Sequence, residues 1–132
     1  MSQIPLQGQS STATAFRVII VCTTAVFLFA AALHTGAFGV PQLVAAMIVE
    51  GALGIGFVFL DIVVFTRQAW ARSAAITVHV IAIAGVLLGI FALVRDPGLD
   101  STINISLHVA MIVLLAAGVF LLARVRGGGT RR

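Results

Sequence analysis

Four apolar stretches, each long enough to cross a bilayer as a helix, are separated by only three short polar breaks, and this segmentation constrains the chain more than any other feature. A helix needs about 20 apolar residues to span the hydrocarbon core. The stretches lie near 16–34, 41–66, 73–94 and 102–123. The breaks between them carry Thr35, Gly36 and Gly39, then Arg67, Gln68 and Arg72, then Arg95, Asp96, Pro97 and Gly98. Connections this short join neighbouring helices, so the sequence predicts an all-α integral membrane four-helix bundle with antiparallel, up-down topology. The transmembrane domain covers 15–124. A polar segment, 1–14, is expected to form a flexible cytoplasmic tail, and 125–132, with Gly127 to Gly129, a basic one. Composition agrees: 61% of the 132 residues are hydrophobic and 9% charged, and mean hydropathy is +1.18. No water-soluble domain of this size has that balance.

The net charge of +4 does not indicate nucleic-acid binding, because the arginines flank spans and form no basic stripe. Arg17, Arg67, Arg72, Arg124, Arg126, Arg131 and Arg132 fall on one side of the predicted topology, and Arg95 alone lies opposite, beside Asp96 and Asp100. The positive-inside rule then places both termini in the cytoplasm. A chain without lysine and rich in Ala, Val, Gly and Arg suggests a high-GC bacterium, hence a plasma (inner) membrane location. The single cysteine, Cys22, excludes an intramolecular disulfide. The first span reads as an uncleaved anchor. Pro41 suits the first turn of the second helix, Trp70 can anchor at headgroup depth, and Asp100, Ser101 or Thr102 can cap the fourth helix.

Inside the second span stand Glu50 and Asp61, eleven residues apart. That is close to three helical turns, so the two carboxyls share one face within roughly 20°, and the face must avoid lipid. In an antiparallel hairpin, residues at equal depth have numbers set by the loop centre. Centring the middle loop near 69 pairs Asp61 with position 77, beside His79; centring the last near 98 pairs His108 with position 88, itself level with Glu50. Two couples are therefore expected, Glu50 with His108 and Asp61 with His79. Ser101, Asn104 and His108 recur at helical spacing and add a polar stripe to the last helix. Such groups are candidates for proton coupling, with interhelical hydrogen bonding as the plainer alternative. Gly85 and Gly89, four apart, and Gly54 mark close helix packing.

His79 and His108 are offset by about 13 Å along the axis, too far for two ligands of one haem. His34, Glu50 and His108 remain weak candidates for zinc, copper or non-haem iron. Neither a nucleophile motif nor a nucleotide-binding loop is present, so catalysis by the chain alone is not expected. No cofactor can be assigned.

Pro41, Glu50 with Gly51, the run through Gly54 and Gly56, Arg67, and Ala74 with Ala75 together resemble the central hairpin of DoxX-like membrane proteins. The run from His79 to Gly89, with Asn104 and His108, is similar to small uncharacterised four-span proteins of high-GC bacteria. The likeness covers roughly 41–110 and departs from the family at Ala32 to Gly36, where a Gly-Lys ending is usual. It implies a membrane subunit or accessory protein, sometimes associated with redox enzymes or quinone chemistry.

Three functions are therefore weighed. The first is an accessory or scaffold subunit of a membrane assembly, redox or stress-related in character, whose Gly85/Gly89 face receives a partner helix. The second is a homo-oligomeric proton-coupled transporter of small molecules or ions, using Glu50 and His108. The third is a metal- or quinone-binding redox subunit. The bilayer is a partner in each.

Overall fold

The computed structural model describes residues 7–39, 42–65, 70–95 and 102–124. They form four α-helices, α1 (Gln7–Leu33), α2 (Val44–Phe65), α3 (Ala71–Arg95) and α4 (Thr102–Arg124), with a single 3₁₀ turn at Ala37–Gly39. All four helices are long and apolar enough to cross a membrane. Even the shortest, α2 with 22 residues, is about 33 Å long. Pro41, the loop around Arg67 and Gln68, the segment from Asp96 to Ser101 and the basic tail lie outside the described residues.

Within the stretch 1–14, α1 already begins at Gln7, whereas its apolar part begins at Thr14. Nucleating a helix is costly and extending it is not, so the apolar run propagates outward through polar residues, Gly8 included, and stops short of Pro5.

The turn after α1 sets up everything that follows. Gly36 adopts φ +90° and Gly39 φ +72°, left-handed conformations that reverse the chain and that glycine enters without penalty. The Thr35 hydroxyl donates to the Ala32 carbonyl at 2.7 Å, satisfying one of the helix's last acceptors. The Leu43 amide donates to the His34 carbonyl at 3.0 Å and so ties the approach to α2 onto the end of α1. At the other loop the Trp70 carbonyl accepts from Ala74 and opens α3.

Each helix packs against its neighbours in the chain, and α1 meets α4 to close the ring. In α4 the buried positions are Asn104, His108, Met111, Leu115, Gly118 and Leu122, alternating steps of four and three, the spacing of a seam that interdigitates with facing helices. Phe27 and Phe57 stack in the centre with centroids 5.7 Å apart. The α1–α2 pair is the most extensive, and small residues explain why: Gly51 faces the Ala31 methyl, and a Cβ on Gly54 would come within 2.6 Å of Leu28 Cδ2. Along this pair, residue numbers on α1 fall as those on α2 rise, from Ala31 with Gly51 to Phe27 with Phe57.

The distribution of polarity is inverted relative to a soluble bundle. Large apolar side chains such as Phe59, Leu88 and Val94 point outward, while Thr23, His34, Glu50, His79, Asn104 and His108 are buried. Arg95 and Arg124 end α3 and α4 by laying their guanidinium groups over Phe91 and Phe120, at 4.4 and 4.2 Å from the ring centroids.

Candidate functional site

The turn at Gly36 and Gly39 brings His34 over the first two turns of α2, and there it meets Glu50. His34 Nδ1 and Glu50 Oε2 are 2.6 Å apart, with the side chains 2% and 8% exposed. A single proton lies in that bond, whether Nδ1–H donates to the carboxylate or the carboxyl O–H donates to Nδ1. Such a short, shielded contact is the strong kind of hydrogen bond, and it supplies the compensation that a carboxyl in an apolar interior requires. Glu50 was expected to couple to His108; its hydrogen-bond partner is His34 instead. The reason lies in the start of α2. It begins at Val44, not 41, so Glu50 is nearer the end of the helix and level with the last residues of α1. The loop-centre argument does not find His34: with the first loop centred between 34 and 41 it pairs Glu50 with position 25, more than two turns deeper on α1.

His108 is nonetheless close. It lines the same cavity as Glu50, a partly open space of about 250 Å³ whose wall includes the buried Phe27 and Met111 and the half-buried Leu53. Its Nδ1–H donates to the Asn104 carbonyl at 2.9 Å, four residues back on α4. This bond fixes the ring and, in the neutral imidazole, leaves the lone pair on Nε2. Nε2 sits against α3 at Gly89, where a Cβ would come within 2.6 Å. Asn104, also buried, thus contributes its backbone to the site.

His79 is placed differently. Its ring is fully buried, stacked on Phe16 at 6.0 Å and edge-on to Phe57 at 5.2 Å. Nδ1–H donates to the Ala75 carbonyl at 2.7 Å, and Nε2, without a hydrogen-bond partner, abuts Gly118. The expected Asp61–His79 couple does not form. Phe57 meets the histidine, and it precedes Asp61 by four residues, about one turn. Asp61 is half-buried, with Oδ1 shielded and unpartnered.

The packing glycines find their neighbours inside the chain. Gly85 faces Leu53 and Val49 of α2, Gly89 faces His108, and Gly54 faces Leu28. The Gly85/Gly89 face therefore does not stand empty for another protein's helix. Among the described residues, no three His, Cys, Asp or Glu side chains are gathered as around a metal ion. What His34, Glu50 and His108 do form is a hydrogen-bonded acid–imidazole pair facing, across an apolar cavity, a second imidazole with a free lone pair.

Comparison with protein-family models, with curated proteins and with solved structures finds no match to this chain.

Proposed function

We propose that this chain is a multi-pass inner-membrane protein of a bacterium, its helices running up and down in antiparallel order with both termini cytoplasmic, and that it couples proton movement to the handling of a small molecule at Glu50. The observation that carries this reading is the buried His34–Glu50 pair, whose Glu50 lines a cavity that also holds His108. Structural hydrogen bonding between helices needs no cavity, and a cavity that merely marked loose packing needs no ionisable pair. Here the two coincide. Intramembrane acids in such surroundings serve as proton relays and substrate contacts. An accessory role in a larger assembly has less behind it, because the glycine face that would receive a partner is occupied by Leu53, Val49 and His108.

The division of labour follows from the bonds. Glu50 is the group that gains and loses the proton, His34 holds the carboxyl in place and shares that proton, and His108 receives a hydrogen bond from whatever enters. The test is proton entry into dye-loaded proteoliposomes under an imposed membrane potential. Wild-type protein is expected to admit protons and Glu50→Gln to reduce entry to the level of empty vesicles while retaining helix content and thermal stability. Equal rates in the two proteins would refute the proposal.

A further inference from the structure

The Glu50 cavity opens sideways. Val49 of α2 and Leu88 and Ala92 of α3 line it and are all exposed on the outer surface of the bundle, Leu88 to 69%. Its mouth therefore lies in the apolar exterior between α2 and α3. The α2–α3 contact is also the sparsest around the ring, which is where an opening would be found. A molecule reaching Glu50 by this route comes from the hydrocarbon phase and never crosses water.

The polar end of the cavity selects the head group. His108 has already committed its Nδ1–H to the Asn104 carbonyl, so Nε2 offers a lone pair. The Glu50 carboxylate, with His34 on one oxygen, likewise has acceptor capacity to spare. Two acceptors facing one apolar space call for a donor. An ammonium group carries three N–H donors, so two acceptors would leave at least one donor unpaired in an apolar space, which is costly. A neutral hydroxyl satisfies both requirements. As for size, an apolar cavity of about 150 Å³ admits benzene, so about 250 Å³ accommodates a ring or several methylenes, with any longer tail leaving through the mouth into lipid.

We propose that the Glu50–His108 cavity is a lateral binding site for a hydroxyl-bearing lipid-phase molecule, its O–H donating to His108 Nε2 or Glu50 and its apolar body resting on Phe27, Leu53 and Met111. The proposal rests on the reading of Glu50 as the working group and assigns its ligand class and entry route.

It is tested by photolabelling the protein in nanodiscs with three alkyl diazirines of equal length, ending in a hydroxyl, a methyl ether and an amine, followed by peptide mapping. The alcohol is expected to label α2 around 45–53 and α3 around 85–92, about tenfold more strongly than the ether, the ratio corresponding to one site hydrogen bond lost. Ala92→Phe, a change at the exposed mouth, should reduce that labelling several-fold, and Glu50→Gln should narrow the alcohol-to-ether ratio. Even labelling of all outward faces, or labelling untouched by Ala92→Phe, would overturn the site. Preference for the amine would overturn the neutral head group, and equal labelling by alcohol and ether the donor rule. Because labelling needs no proton movement, its failure alongside Glu50-dependent proton entry would remove the ligand and leave the proton reading standing.

Discussion

His79 and His108 are built alike. Each donates Nδ1–H to the carbonyl four residues earlier on its own helix, and each lays Nε2 against a glycine of the other's helix, His79 on Gly118 and His108 on Gly89. Their surroundings separate them. His79 is clasped between Phe16 and Phe57, with no acid bonded to it and no place in the wall of the Glu50 cavity. His108 opens onto the space that holds Glu50. One bonding scheme thus serves packing at one depth and, in the function proposed above, a proton site at another, and what differs is whether room and a carboxyl lie beyond the ring. A polar residue in a membrane interior is a functional candidate by default, but its surroundings decide.

The largest way to sharpen this contrast is to remove the partner of Glu50. His34→Leu leaves a buried acid without its hydrogen bond, and breaking a buried pair from one side costs about 3 kcal/mol. Unfolding in bicelles should show that loss, and the double variant His34→Leu/Glu50→Leu should recover most of it, since two apolar groups need no compensation. If the double variant is as unstable as the sum of the singles, the pair is not coupled.

Next in size come the two glycines. Gly118→Ala drives a methyl into a ring fixed by two aromatic neighbours and a backbone bond. Overpacking of that kind costs about 2 kcal/mol, even after the helix-propensity gain of alanine over glycine. Gly89→Ala meets His108 Nε2 at 2.6 Å, yet that ring borders a cavity and can tilt into it, so the net cost should stay below about 1 kcal/mol. Thermal unfolding of the two variants compares them directly. Equal losses would mean that His108 is as tightly held as His79.

Much of the fold is readable from the chain because hydropathy alone marks four helices, and α3 and α4 run within two residues of their expected limits. The site is only half readable. Depth was accessible from loop centres, which is why Gly89, one residue from position 88, does meet His108. Partner choice was not, because it depends on how each helix is rotated and on where α2 starts. A three-residue delay, taken up by the turn at Gly36 and Gly39, moves Glu50 toward His34. Nothing in the pattern of apolar residues reports that delay. The orientation of His79 likewise depends on Phe16, an apolar residue like any other when read in line.

The smallest expected effect concerns the other carboxyl. Asp61 shares a helix and roughly a face with Glu50, and sequence spacing alone treats the two as equivalent. In the fold they are not. Asp61 has no hydrogen-bonded imidazole and does not line the Glu50 cavity, and its shielded Oδ1 accepts nothing. Asp61→Asn preserves shape and breaks none of the hydrogen bonds described above, so stability should change by less than about 0.5 kcal/mol. Proton entry into vesicles should match wild type, where Glu50→Gln abolishes it. If Asp61→Asn also stops proton entry, the pathway runs the length of α2 from one carboxyl to the other, and the assignment of the chemistry to the His34 end alone fails.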